Sequence, residues 1–162
     1  MIALTIASIL LAIAVPAFRD MTANSRLTAQ VNDLVSAVNL ARSEAIKRNA
    51  SISFCRTDNA TDTACSTTTG NWASWIVATS GGTVIRSGTV PDYGNTIVVQ
   101  STLDTDTVTF SSDGLGMTGG SLVIASGIGV SATRLSHDNL RCITLGAGSR
   151  ISTESRTGTA CP

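Results

Sequence analysis

The sequence is poor in aromatic residues and in charge. Only 4% of its 162 residues are aromatic and 14% are charged, and 11 basic and 11 acidic residues give a formal net charge of zero. Without a basic excess there is no overall field that attracts nucleic acids, so any nucleic-acid binding must come from a local group of side chains. The abundance of Gly, Ser and Thr is typical of short strands joined by turns rather than of an enzyme core.

Common catalytic motifs are also missing. The sequence has no Gly-x-Ser-x-Gly, no phosphate-binding loop and no His-Glu-x-x-His. Adjacent strand residues point to opposite faces, so His137 and Asp138 are poorly placed for a catalytic triad. Asp104, Asp106 and Asp113 lack the spacing and the Glu of an EF-hand, and we interpret them as turn residues. We therefore predict no enzymatic activity, no cofactor, no metal and no small-molecule substrate.

The longest apolar run is the first 18 residues. It contains no charge, and its only polar side chains are Thr5 and Ser8. As a helix it would span about 27 Å, close to the hydrocarbon thickness of a bilayer. A helix that is apolar on every face must be buried in lipid or among other helices. A cleaved signal peptide is the alternative, but the run lacks a basic flank and the helical pattern continues past it, which favours a retained anchor.

A second pattern continues from this run toward residue 49. Apolar residues at steps of three and four form one stripe: Leu27, Val31, Leu34, Val35, Val38, Ala41, Ala45 and Ile46. The sequence therefore predicts one helix of about 45 residues, far longer than the usual globular helix. Residues 1–18 are its transmembrane or filament-core half, and residues 19–50 are its amphipathic half. We expect a kink at Pro16, which removes one intrahelical hydrogen bond.

Residues 51–162 are predicted to form one globular β domain, which is long enough for its own core. Alternation predicts a first strand at 51–54, a polar loop from Arg56 to Thr63, and a second strand at 72–78. Trp72 and Trp75 are not two residues apart, so we expect them on opposite faces unless a bulge intervenes. Packing against the helix stripe is their predicted role.

The four cysteines form two well-separated pairs. An even count in an exported chain predicts disulfides, whereas the wide spacing and single histidine disfavour zinc. The favoured pairing is Cys55 with Cys65 and Cys142 with Cys161. In the loop-entropy model each bridge stabilises the fold by about 3 kcal/mol.

The run ALTIASILLAIAVPAF resembles the N-terminal helix of type IV pilins and type II secretion pseudopilins, with Pro16 at the position of that family's helix-kinking proline and Phe18 at that of the aromatic after it. In the family a short basic leader ending in Gly precedes Phe-Thr-Leu-Ile-Glu, and neither the leader nor that glutamate is present here. By this resemblance about six mature residues lie upstream of Met1, and peptidase processing and methylation are implied.

The second half resembles the FimU/FimT–GspH branch of minor pilins and pseudopilins. The matching features are a strand ending in Cys55, a polar loop to Cys65, Asn71-Trp72-x-x-Trp75-Ile76-Val77, and the turn at 108–114. The resemblance covers essentially the whole chain. It implies an α+β fold in which a long N-terminal helix packs on a C-terminal antiparallel β-sheet domain.

This resemblance implies a structural minor pilin of a type IV pilus, FimU-like and in the complex that primes or caps the filament. Its partners would be other major and minor pilins, and the inner membrane of a Gram-negative bacterium would hold it, with a periplasmic domain, before assembly. A GspH-like pseudopilin of type II secretion and a FimT-like DNA-binding minor pilin are the alternatives.

For the DNA-binding alternative, the family motif is Gly-Arg-x-Arg. The nearest match, at 148–152, has an inserted Ser and lacks the second Arg. A local patch for double-stranded DNA would be formed by Arg134, Arg141, Arg150 and Arg156. A solvated surface of mixed charge, with Asp138 and Glu154 among the arginines, is the favoured interpretation.

Overall fold

The computed structural model describes residues 2–91, 96–123 and 125–161, and for residues 2–13 and 15–17 it describes the backbone alone. One helix, α1, extends over Ile2–Arg48. The helix continues through Pro16, where the predicted kink stays a prediction, and most side chains of the predicted half 1–18 lie outside the described residues. Among the residues described, no helix has the length and apolarity needed to cross a membrane.

The amphipathic half of α1 packs on the β domain through one face. The predicted stripe forms most of this face, with Ala23 and Ala37 added and Val35 half-buried. Ile46 was predicted in the stripe but is 52% exposed. The reason is that Ile46 lies at the edge of the covered face, near the end of the helix, where it lies beside the turn at Gly114.

The helix ends in a hydrogen-bonded cap close to the predicted position. Asn49 adopts a left-handed backbone with φ of 49°. Its N–H bonds to the carbonyl of Ile46 at 3.3 Å, and the N–H of Ala50 bonds to the carbonyl of Ala45 at 3.2 Å. These two bonds form a Schellman motif, which satisfies carbonyls left unpaired at a helix end. A salt bridge between Glu44 and Arg48 supports the same turn, and its hydrogen bond lowers the pKa of Glu44.

Two antiparallel sheets form the rest of the molecule. The six-stranded sheet has the order β3-β2-β1-β5-β6-β7, and the four-stranded sheet has the order β10-β9-β8-β4. The first contains β1 (Ile52–Thr57), β2 (Ser74–Thr79), β3 (Val84–Thr89), β5 (Thr107–Phe110), β6 (Gly116–Thr118) and β7 (Ser121–Leu122). The second contains β4 (Ile97–Ser101), β8 (Ala125–Ala132), β9 (Leu140–Gly146) and β10 (Arg150–Arg156). The helix packs on strands of both sheets, which confirms the predicted fold class.

The aromatic core differs from the prediction for the two tryptophans. The rings of Trp72 and Trp75 both lie against Phe54, at centroid distances of 5.4 and 5.6 Å. The prediction of opposite faces was wrong because β2 begins only at Ser74, so strand alternation does not apply to Trp72. The backbone N–H of Trp72 donates a hydrogen bond to the carbonyl of Val99 in the four-stranded sheet. Trp72 thus joins the two sheets within the core.

Arg56 was predicted in a polar loop, and this was also wrong. β1 continues to Thr57, and Ile52, Phe54 and Arg56 share one face of the strand. Ile52 and Phe54 are fully buried, and Arg56 is only 6% exposed. Asp106, predicted as an ordinary turn residue, is 1% exposed and faces Arg56. A buried polar group therefore lies where the sequence suggested solvent.

Candidate functional site

The N-terminal half of α1 extends beyond the part that the β domain covers. Ala23 is the first buried side chain among those described along the helix. Phe18 and Met21 precede it and are 69% and 73% exposed. The 21 residues from Ile2 to Thr22 correspond to about 30 Å of helix. The exposed side chains of Phe18 and Met21 are thus available for contacts outside this chain.

A cavity of about 400 Å³ lies where the helix leaves the β domain. Three arginines line it: Arg19 and Arg26 from the helix and Arg134 from the β8–β9 connection. Phe18, Thr22, Ala23 and Thr96 complete the lining. The side chains of Arg19 and Arg134 are exposed and make no hydrogen bond or ion pair with the described residues. The cavity therefore combines positive charge with one exposed aromatic ring.

The four arginines proposed for DNA do not form one patch. Arg134 lines the cavity beside the helix, whereas Arg150 lines a different cavity, beside Ala147 and Thr144. Arg150 and Arg156 begin and end β10, which separates them by about 20 Å at 3.3 Å per residue. Arg141 and Arg156 lie on neighbouring strands, but Arg141 pairs with Ser155 and Arg156 with Leu140, so strand alternation turns their side chains to opposite faces of the sheet.

Two of these arginines are engaged within the chain. Arg141 donates to the hydroxyl of Ser155 at 2.6 Å and to the side chain of Asn24 in α1 at 3.1 Å. Arg156 forms a salt bridge with Glu154 at 2.7 Å. The side chain of Arg150 is exposed and makes no hydrogen bond or ion pair with the described residues. Arg134 and Arg150 are thus the two whose guanidinium groups can accept an external anion without losing such a contact.

The inserted serine of the 148–152 segment has a structural position. Ser149 is 2% exposed and has a left-handed backbone with φ of 58°. Its hydroxyl accepts a hydrogen bond from the N–H of Gly116 in the other sheet, and its carbonyl accepts one from Arg42 of α1 at 2.9 Å. Ser149 therefore connects both sheets to the helix. Its contacts also fix the turn after which β10 begins at Arg150.

Both cysteine pairs form disulfides. Cys55 bonds to Cys65, which ties β1 to the loop after it, and Cys142 bonds to Cys161, which ties β9 to the C-terminal segment. His137 is exposed, and the Asp138 carboxylate accepts a hydrogen bond from Ser155. Within the described part of the chain, no three His, Cys, Asp or Glu side chains are grouped as metal ligands.

Sequence reasoning missed the buried group around Arg56. Its guanidinium donates to the Ser66 hydroxyl and to the Thr68 carbonyl, both at 2.6 Å, and to Asp58 at 2.9 Å. The signal that could have revealed it is the alternation from Ile52 through Phe54 to Arg56, which places the arginine on the buried face of β1. These contacts hold the loop closed by the Cys55–Cys65 disulfide, so the group supports the fold rather than a reaction.

Comparisons with known proteins agree with this architecture. The family model described as type II transport protein GspH matches residues 30–148. A crystal structure of the type IV minor pilin FimU from Pseudomonas aeruginosa strain PAO1 has a TM-score of 0.61 at 16% identity, covering 86% of this chain and 97% of FimU. A second crystal form of FimU gives 0.58 at 16% identity, covering 83% and 99%. At this identity the likeness is one of fold. The comparison with curated proteins gives no match.

Proposed function

This chain belongs to the family of type II transport protein GspH and has the fold of the type IV minor pilin FimU, and we propose that it is a minor pilin, a structural subunit of a type IV pilus. The observation that carries the proposal is the 47-residue helix, which packs on both sheets with one half and leaves Phe18 and Met21 exposed beyond them. In the proposal, the apolar half is held in the inner membrane and then moves into the filament core, while the β domain is periplasmic and later lies on the filament surface.

The energetics of the apolar run support assembly through the helix. Residues 1–18 carry no charge, and a Leu or Ile side chain moved out of water contributes about 1.5–3 kcal/mol. While the run lies in lipid its side chains are already out of water. Transfer into a filament therefore depends on close helix–helix packing instead. Ala3, Ala7, Ala12 and Ala14 keep the helix slim enough for such packing.

We propose, more specifically, that this subunit belongs to the complex that primes or caps the pilus. FimU is a type IV minor pilin, and the shared fold extends over nearly the whole of the FimU chain. Inner-membrane residence before assembly and association with other major and minor pilins belong to the same proposal.

A deletion strain tests this function. Loss of the protein should strongly reduce the surface pili recovered by shearing, and the full-length gene should restore them. Met21→Asp should fail to restore them, because a carboxylate would replace an exposed apolar side chain in the uncovered first turn of the amphipathic half, next to the apolar run. Ser112→Asp is the matched control, since Ser112 is exposed in a turn of the β domain.

The outcome also separates pilus from secretion system. Normal piliation with lost export of secreted enzymes would overturn the type IV pilus proposal and favour a type II secretion pseudopilin. Normal piliation and normal secretion together would contradict a structural role in either machine.

DNA capture is a second candidate, favoured by the exposed Arg150 at the start of β10. Titration of the full-length protein in neutral detergent with double-stranded DNA, at low and at physiological salt, tests it. DNA capture predicts salt-sensitive binding that Arg150→Gln weakens and that Lys47→Gln, at a 76% exposed position, leaves nearly unchanged. No binding at low salt would contradict this candidate while leaving the structural subunit unaffected.

A further inference from the structure

The cavity at the junction of the helix and the β domain is built for an anion. Arg19 and Arg26 are seven residues apart, so they lie on one face of α1 about 10 Å apart along its axis. Arg134 reaches the same cavity from the β8–β9 connection. No carboxylate is among the described residues that line it. Guanidinium groups converging from two elements are suited to phosphate, which they bind through paired N–H donors.

The position of the cavity along the helix indicates which phosphate-bearing ligand it would meet. Arg19 is the first charged residue after the uncharged run 1–18. If that run lies in a bilayer, Arg19 lies at the edge of the hydrocarbon, and the headgroup layer extends about 5–8 Å beyond it. Arg26 and Arg134 then lie at or just beyond headgroup depth. Phe18, which is 69% exposed and also lines the cavity, lies on its hydrocarbon side.

We infer that this cavity binds the phosphate of an anionic lipid headgroup while the subunit resides in the membrane. The inference rests on the proposed membrane-held state of the subunit. Arg19 and Arg134 contact the phosphate, and Phe18 packs against the acyl chain next to it. Such a lipid holds the junction of the helix and the β domain at headgroup depth, and it leaves when the subunit enters the filament.

The test uses the full-length protein purified in neutral detergent and mixed with phosphatidylglycerol or phosphatidylcholine. Native mass spectrometry measures the lipid that stays bound. The wild type should retain phosphatidylglycerol over phosphatidylcholine by about tenfold or more, and Arg19→Gln/Arg134→Gln should lose this preference. Lys47→Gln/Arg48→Gln is the matched control, since it removes two positive charges from exposed positions at the opposite end of the described amphipathic half.

Free phosphate is the other source of the same chemistry, and a separate arm distinguishes it. Millimolar inorganic phosphate should not displace phosphatidylglycerol, because the bound lipid also contacts Phe18 through its acyl chain. Displacement by phosphate, or equal retention of both lipids by the wild type, would overturn the lipid site. Retention of the preference by Arg19→Gln/Arg134→Gln would overturn the assignment to this cavity.

A membrane-extraction assay separates this inference from the proposed function. Alkaline carbonate should leave both the wild type and Arg19→Gln/Arg134→Gln in the membrane pellet. Release of the wild type would contradict the membrane-held state itself, whereas a wild type that stays in the pellet but shows no preference for phosphatidylglycerol would overturn the lipid site alone. If the variant keeps the lipid preference but fails to enter pili, the cavity binds an acidic side chain of a neighbouring subunit and the lipid site is wrong.

Discussion

The Nε atom of Arg56 lies 3.3 Å from a carboxylate oxygen of Asp106, with 7% and 1% of the two side chains exposed. The contact is an ion pair without a directed hydrogen bond from Nε, since that N–H has no acceptor in suitable geometry. The other groups of the pair are satisfied. Asp106 accepts hydrogen bonds from the Gly70 N–H at 2.8 Å and from the Ser101 hydroxyl. The pair thus joins β1, the segment that follows the Cys55–Cys65 disulfide, the end of β4 and the turn before β5.

Removal of one partner of this pair should strongly destabilise the protein. Arg56→Gln leaves the Asp106 carboxylate buried without a counter-charge, and loss of one partner of a buried pair costs about 3–5 kcal/mol. Denaturant unfolding followed by tryptophan fluorescence measures the loss, because both tryptophans are in the core. Arg156→Gln is the control, since its salt bridge with Glu154 is about half exposed and contributes at most about 1 kcal/mol. Equal effects of the two variants would contradict the buried pair.

Gly88 should not tolerate a larger residue. A Cβ atom at this position would lie 2.2 Å from Cζ2 of Trp75, its partner across β2 and β3. Trp75 is fully buried, and Arg86 lies over its ring at 5.5 Å while pairing with Asp33 of α1. We expect Gly88→Ala to reduce the free energy of unfolding by about 1–3 kcal/mol, because a packed ring must shift.

The matched control for Gly88 is another strand glycine. A Cβ atom at Gly146 would approach no described atom closer than 3.8 Å, which is ordinary contact. Gly146→Ala should therefore change the unfolding free energy by less than about 0.5 kcal/mol. A cost at Gly146 as large as that at Gly88 would show that the effect does not come from the contact with Trp75.

The two disulfides should contribute unequally, for a reason beyond loop length. Their sequence separations of 10 and 19 residues predict similar entropic terms of about 3 kcal/mol, slightly larger for Cys142–Cys161. The residues directly after Cys65 also accept hydrogen bonds from the buried Arg56 guanidinium, at Ser66 and Thr68, so this disulfide also holds those acceptors in place.

We therefore expect the double substitution of Cys55 and Cys65 by Ala to cost more than that of Cys142 and Cys161. Denaturant unfolding of the two variants, with the wild type alongside, measures the difference. A larger loss for the Cys142–Cys161 variant would indicate that loop entropy alone determines the contributions.

The sequence was sufficient for the features that depend on periodicity. The long helix and most of its buried stripe follow from apolar spacing at three and four residues, and the antiparallel β domain follows from alternation and turns. It was insufficient where a side chain's position depends on a distant element. Asp106 is buried because β1 brings Arg56 to it from 50 residues earlier in the chain, and Trp72 enters the core from outside a strand.

The candidate sites show the same division. The sequence identifies the four arginines proposed for DNA. Which of them lie together and which are engaged within the chain depends on strand order and on salt bridges such as Arg156–Glu154. The cavity lined by Arg19 and Arg134 joins residues more than 100 positions apart, so no local pattern indicates it. The buried Ser149 likewise depends on Gly116 of the other sheet.

Assembly through the helix is the central claim, and site-specific photocrosslinking tests it most directly. A photoreactive phenylalanine analogue at Phe18, on the exposed part of α1, is compared with the same analogue at Ser112 on the β domain. The proposed function predicts that Phe18 crosslinks to other pilins and that the adduct appears in the sheared pilus fraction, well above the yield at Ser112. Absence of the protein from that fraction, with no pilin crosslinked at Phe18 in the membrane, would contradict the claim.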